Sequence, residues 1–143
     1  MKLLEHRSLQ CIYCDDIRDE AGGKTTIVGW YGELPISLPA DGIMLIPTLG
    51  VVGMLAMPLE QKCNSMKVEI LQDQNILHSV VMPEDAIKEM QVDEAKTSEL
   101  LLMHQIRIAI KINNLPIADP CTLRMRITVD DQEVYSNGLR FIR

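Results

Sequence analysis

The fold is decided by the stretch Gln105-Ile-Arg-Ile-Ala-Ile-Lys-Ile112, in which apolar and polar side chains alternate without a break. A second stretch, Thr122-Leu-Arg-Met-Arg-Ile-Thr-Val129, has the same period of two. Successive side chains leave a β-strand on opposite faces, so this period is typical of strands with one buried and one wet face. A helix with the same pattern would distribute its isoleucines all round its surface. Both stretches therefore predict an antiparallel sheet with one solvent-exposed face.

The remaining sequence predicts further strands with turn signals between them. The predicted strands are Leu9–Asp15, Thr25–Tyr31, Ile43–Ile46, Leu49–Met57, Lys67–Leu71, Ile76–Met82, Leu100–Ile112, Thr122–Val129 and Glu133–Ile142. Pro83-Glu84-Asp85 favours the start of a short helix, and Gln91–Ser98 is predicted to be a loop. The fold class is therefore all-β, a two-layer antiparallel β-sandwich (Ig-like or C2-like) with at most one short helix, forming a single domain over residues 1–143; a barrel is the alternative.

Composition argues against several classes of partner. The net charge is −6, the basic residues are dispersed, and the chain has only one Trp, three Tyr and one Phe. Nucleic acid is not an expected partner, because binding it needs a basic stripe and aromatic side chains for stacking. Glu5 and Arg7 interrupt the apolar run that a signal peptide would need. We therefore expect a cytoplasmic protein whose four cysteines are thiols.

The longest uncharged stretch, Gly42–Leu59, has the length of a short membrane helix. Pro47 and Pro58 interrupt it, so buried strands are the better interpretation and no membrane partner is expected. Leu49–Met57 is apolar on both of its faces. If its second face is not covered within the chain, we expect a protein partner there, which could be a second copy forming a homo-oligomer.

No set of residues predicts catalysis or a cofactor. Cys11 and Cys14 have the spacing of a redox or zinc pair, but in a strand this odd spacing sends the two thiols to opposite faces. The chain also has neither a Gly-X-Ser-X-Gly turn nor an HExxH helix. His6, His78 and His104 lie far apart, with no evident nucleophile beside any of them. The expectation is a protein that is not an enzyme and holds no cofactor.

Acidic residues are concentrated in two predicted turns. Asp15, Asp16, Asp19 and Glu20 follow the first strand, and Asp130-Asp131 form a hairpin tip. Loops at one end of a sandwich can combine carboxylates to bind calcium, which favours six or more oxygen ligands. A divalent-cation or ligand site in the Asp15–Glu20 loop is therefore the alternative function; otherwise these acids only populate solvated turns.

The polar faces of the C-terminal strands carry Arg107, Lys111, Arg124 and Arg126. If the two strands are neighbours, these side chains form a basic patch that could receive an acidic partner. The other interpretation is an ordinary solvated sheet face.

The stretch Cys14-Asp-Asp-Ile-Arg-Asp-Glu-Ala-Gly-Gly-Lys24, followed by Gly29-Trp-Tyr31, resembles a functionally uncharacterised family of short bacterial and phage proteins. Its members share a Cys-Asp-Asp-Ile/Val-Arg-X-Glu-X-X-Gly-Lys motif and a Gly-X-Tyr on the next strand. The resemblance implies a β-sandwich in bacterial or phage cytoplasm and supplies no activity. It also implies that Asp15, Asp16, Arg18 and Lys24 form an interaction or structural motif. The predicted function is that of a non-enzymatic protein-interaction or accessory sandwich.

Overall fold

The secondary structure is almost entirely β. The computed structural model describes residues 6–61, 63–90 and 103–143. In this part of the chain the elements are β1 (Ser8–Asp19), β2 (Thr25–Trp30), β3 (Ile36–Ser37), β4 (Met44–Pro58), β5 (Met66–Gln72), β6 (Asn75–Val81), α1 (Glu84–Met90), β7 (Met103–Ile117), β8 (Cys121–Val129), β9 (Gln132–Tyr135) and β10 (Leu139–Ile142). The all-β prediction with one short helix is confirmed. No helix in these ranges is long and apolar enough to cross a membrane.

The strands form two sheets. Sheet A has the order β2-β1-β4-β7, and sheet B has the order β3-β10-β8-β5-β6, with β9 also pairing with β8. Every described pair is antiparallel except β3 with β10. The long ladder between β4 and β7 runs from Met44 opposite Ile117 to Pro58 opposite Met103.

The main core lies between the sheets and draws on both. Leu55 of β4 and Ile127 of β8 are fully buried in the same apolar cluster. At Gly53 an added Cβ would lie only 2.9 Å from the Met125 methyl of sheet B, so glycine permits the close approach of the two layers. Asn137 also links the layers, since its side chain accepts from the Cys11 N–H at 2.8 Å and donates to the Cys11 carbonyl at 3.0 Å.

The alternating stretches behave as their period predicts. In β7 the isoleucines at 106 and 110 are buried, while the residues at 105, 107, 109 and 111 are exposed. In β8 the buried residues are Leu123, Met125, Ile127 and Val129. The hairpin at Asp130-Asp131 is present, and both residues have positive φ, as a tight two-residue hairpin turn requires.

Four predicted boundaries are wrong. The strand predicted to end at Ile112 continues as β7 to Ile117. The first strand continues to Asp19, so only residues 20–24 form the turn. The two strands predicted at Ile43–Ile46 and Leu49–Met57 are one strand, β4, which passes through Pro47. The final predicted strand is divided into β9 and β10, because residues 136–138 leave the ladder to contact β1 and β8. The predicted loop Gln91–Ser98 and residues 100–102 lie outside the described residues.

Candidate functional site

The family-like motif forms a two-stranded ribbon at one end of sheet A. β1 pairs with β4 only as far as Cys14, and from there to Asp19 its described partner is β2. Residues 15–30 are called the ribbon below. Its turn closes with a hydrogen bond from the Glu20 N–H to the Lys24 carbonyl at 2.8 Å, and Gly22 and Gly23 supply positive φ angles.

Asp16 links the ribbon to β7, the strand at the other edge of sheet A, through an ion pair with Lys111. Its carboxylate lies 3.0 Å from Lys111 Nζ on β7 and 3.3 Å from Arg18 Nε. It also accepts the Ile17 N–H at 2.9 Å. The bonds from Lys111 and then Arg18 hold the pKa of Asp16 below its usual range. Asp16 and Arg18 therefore stabilise the ribbon, and their surface ion pairs add modestly to the free energy of unfolding.

Asp15 contacts a glycine on the next strand and a tyrosine just after that strand ends. Gly29 has a φ of 67°, and a Cβ there would lie 2.8 Å from the Asp15 carboxyl carbon. Burial and a hydrogen bond to Asp15 raise the pKa of Tyr31 to about 12. The two halves of the motif are thus in contact: Gly29 makes room for Asp15, and Tyr31 binds it. Lys24 is exposed at the ribbon turn and makes no ion pair with any described residue.

The two groups of acidic residues lie toward opposite ends of β1. Asp130 accepts backbone N–H bonds from Ser65 at 2.8 Å and Asn64 at 3.0 Å. Burial by itself would raise the pKa of Asp130, but the hydrogen bonds from Ser65 and Asn64 outweigh it and hold that pKa below its usual value. Arg7, just before β1, donates to the Gln132 side chain on the same hairpin at 2.7 Å. Asp15, Asp16 and Asp19 lie within the last five residues of β1, not in a turn as predicted, and only Glu20 follows it. They are therefore toward the other end of a strand of twelve residues, about 40 Å long. Among the described residues, no group of three or more His, Cys, Asp or Glu side chains is placed to hold a metal ion.

The free edge of the ribbon is apolar. Among the strands that the structure describes, β2 is the outermost of sheet A, and its sequence Thr-Thr-Ile-Val-Gly-Trp contains no charged residue and no proline. Trp30 is 67% exposed, and Ile27 and Val28 are each 36% exposed. The unpaired backbone groups of an edge strand can pair with another chain. Natural edge strands usually prevent this pairing with charged residues, proline or bulges. β2 carries no charge, proline or register shift, and its one irregular backbone position is Gly29, with a φ of 67°.

The outer face of β4 is largely covered within the chain. Val52 is 2% exposed and packs with Cys14, Ile17 and Ile12 in a second apolar cluster outside the main core. The apolar second face of this strand, from which a contact with a partner is predicted, is therefore occupied at its centre. The homo-oligomer stays a prediction, and the exposed apolar edge lies at β2.

The predicted basic patch is divided between the two sheets. β7 belongs to sheet A and β8 to sheet B, so Arg107 and Lys111 lie on a different layer from Arg124 and Arg126. On sheet B the two arginines instead line a groove of about 260 Å³. The groove is lined by Leu71, Asp73, Gln74, Arg124, Arg126 and Tyr135.

A buried carboxylate lies beside this groove. Glu69, on β5 directly opposite Arg126, is 1% exposed. Arg126 donates to its Oε1 from Nε at 3.0 Å and from a terminal nitrogen at 2.9 Å, while Lys67 Nζ lies 3.7 Å from Oε2. Sequence reasoning missed Glu69, because only the β5–β8 register brings it to Arg126.

The cysteines and histidines do not converge. Cys11 lies in the main core and Cys14 in the second cluster, as their odd spacing predicts. Burial raises the pKa of the Cys11 thiol to about 11, which leaves it a poor nucleophile. His104 is buried in β7, whereas His6, before β1, and His78, in β6, are exposed.

One family, described as a family of unknown function (DUF6941), matches residues 10–142. The chain belongs to that family. The DUF6941 match spans the ribbon, both sheets and the groove, and membership by itself carries no activity. No curated protein and no solved structure matches the chain.

Proposed function

We propose that this protein is a non-enzymatic interaction module that binds a protein partner through the edge of β2. The partner contributes an extended segment that pairs with the free backbone groups of the strand, and its apolar side chains cover Trp30 and Val28. The observation that carries the proposal is an uncharged edge strand with a tryptophan 67% exposed. Tryptophan is enriched among the few residues that dominate interface energies, and strand addition is a common way of binding peptides.

The other edge strands are less suited to pairing with a partner's extended segment. β7 carries Arg107, Lys111 and Pro116, and β3 has two residues. β6 is the rival edge, since its sequence is also free of charged residues and Val81 is 71% exposed. β6 has no Trp, Tyr or Phe, whereas β2 has Trp30 and lies next to the acidic end of the ribbon.

Charge indicates the chemistry of the partner. The ribbon contains four acidic residues, Asp15, Asp16, Asp19 and Glu20, and only two basic residues, Arg18 and Lys24. The whole chain has a net charge of −6. A second copy would bring like charge to the contact, so the partner we propose is a different protein whose extended segment has basic flanks. The exposed Asp19 and Glu20 at the ribbon turn would meet those flanks. Free thiols at Cys11, Cys14 and Cys121 are in keeping with a cytoplasmic setting in a bacterium or phage-infected cell.

The test compares partners captured from the source cells by the wild-type chain and by three variants. Trp30→Ala removes the proposed anchor, Val28→Lys places a charge on β2, and Val81→Lys places the same charge on β6. We expect binding of a given partner to weaken about thirtyfold with Trp30→Ala, to be lost with Val28→Lys and to persist with Val81→Lys. Binding that survives both β2 variants contradicts the proposal. A dimer in light scattering that Val28→Lys dissociates would instead make the partner a second copy.

A further inference from the structure

The groove on the outer face of sheet B has the structure of a small binding site. Its floor and walls come from three strands and a turn: Leu71 from β5, Arg124 and Arg126 from β8, and Tyr135 from β9. Asp73, at the turn between β5 and β6, also lines the groove. The groove is partly open to solvent, and its volume of about 260 Å³ is slightly below the usual range of small-molecule sites.

Arg126 is fixed in place before any ligand arrives. Two of its nitrogens are bound by one oxygen of Glu69, and its guanidinium carbon lies 6.0 Å from the centre of the Tyr135 ring. Replacing a buried ion pair with apolar residues is often neutral or stabilising, so the pair alone is a weak contribution to stability. It does hold a planar cation and an aromatic ring in one orientation, as a preorganised binding site requires.

Arg124 is the available cation of the groove. It is half-buried, lies opposite Leu71 in the ladder, and makes no hydrogen bond or ion pair with any described residue. Being two residues from Arg126 on one strand, it projects from the same face about 7 Å away. The nearby Asp73 carboxylate is engaged instead by the Thr122 N–H at 3.0 Å.

We infer that this groove binds a small organic monocarboxylate. The planar fork of Arg124 matches the two carboxylate oxygens, and the exposed Gln74 amide lies within the groove lining as a further donor. Leu71 and the Tyr135 ring contact the apolar part of the ligand. Asp73 favours a ligand with one negative charge over one with two, because a second charge would lie near its carboxylate. This site is on the opposite sheet from β2 and does not depend on the proposed partner.

Benzoate is the probe, with benzamide as its neutral isostere, titrated by NMR at constant ionic strength. We expect benzoate to bind with a dissociation constant of about 1 mM, as its size allows, and to shift the Arg124 side-chain and Tyr135 resonances. Benzamide should leave these resonances in place. Arg124→Gln should weaken benzoate binding about tenfold or more, because it removes a charge-assisted hydrogen-bonded pair. Arg107→Gln, an exposed cation on sheet A, is the matched control and should bind as the wild type does.

Arg124→Lys supplies a second variant with the charge but without the planar fork, and we expect it to bind more weakly than the wild type and more tightly than Arg124→Gln. Thermal unfolding of each variant shows that the sheet is intact. Equal shifts with benzamide, undiminished binding by Arg124→Gln, or no shift in the groove at about 10 mM benzoate would each overturn the inference.

Discussion

The Glu69–Arg126 ion pair should respond unequally when its two members are truncated. The Glu69 side chain is 2% exposed and that of Arg126 is 22% exposed. Arg126→Ala leaves a carboxylate buried, with Lys67 Nζ at 3.7 Å as its remaining cation. Breaking a buried pair in this way costs about 3–5 kcal/mol, and Lys67 should keep the loss near the lower value. Glu69→Ala leaves a partly exposed guanidinium that can extend to water, so we expect a loss of about 1–2 kcal/mol.

The double variant Glu69→Ala/Arg126→Ala isolates the coupling between the two side chains. The double variant has no buried carboxylate left without its arginine. We therefore expect its free energy of unfolding to fall by about 2 kcal/mol less than the sum of the two single losses. Arg18→Ala is the control, since the Arg18–Asp16 pair is exposed and its removal should change the free energy of unfolding by about 0.5 kcal/mol or less.

Urea unfolding followed by circular dichroism measures these free energies. In thermal unfolding the same losses should lower Tm by about 2–4 °C for each kcal/mol. Equal losses from the two single variants, or losses that add without coupling, would refute the reasoning that burial of Glu69 sets the cost.

Three further predictions concern other parts of the fold. Gly53→Ala should cost about 1–3 kcal/mol in urea unfolding, and less in a Met125→Ala background, because the new methyl overlaps Met125; additive losses would contradict the close approach of the sheets. Lys111→Gln should raise the pKa of Asp16 in carboxyl NMR titration. Since folding lowers that pKa, the stability contributed by Asp16 is present at neutral pH and is lost as pH falls through the folded pKa. The Lys111→Gln variant should lose less stability than the wild type over this fall in pH. An unchanged pKa of Asp16 in the variant would exclude the Lys111 contact. Cys11, whose pKa burial raises to about 11, should resist alkylation at neutral pH until the protein unfolds, and rapid labelling of the native chain would contradict its burial.

Local pattern predicted the elements better than their partners. The strict alternation at 105–112 and 122–129 fixed which residues of each strand are buried, because it follows from the strand period alone. The tight turn at Asp130-Asp131 was equally local. The assignment of β7 and β8 to different sheets depends on long-range pairing, and for that reason the predicted basic patch does not exist as one surface.

The continuous β4 shows how a tertiary contact can override a local breaker. Proline cannot donate to a ladder, so Pro47 predicts an interruption. The paired positions on either side are Ile46 with Leu115 and Thr48 with Asn113, which leaves Asn114 facing Pro47. Asn114 has a φ of 54°, and this local irregularity lets the strand pass the proline without losing register.

The candidate sites were predictable to different degrees. The motif singled out Asp15 and Asp16, but their roles follow from the register with Gly29 and from the reach of Lys111 across the sheet. Glu69 carried no signal, since a charged residue in an alternating strand is expected to be solvated. Its burial depends on the neighbouring side chains of sheet B, which the sequence does not place together.

The most direct test of the β2 proposal is amide hydrogen exchange of the protein with and without its captured partner. An added strand would pair with the free backbone edge of β2, so exchange at residues 25–30 should slow on binding while exchange at residues 75–81 of β6 stays unchanged. Slower exchange at residues 75–81 with residues 25–30 unaffected would contradict the account.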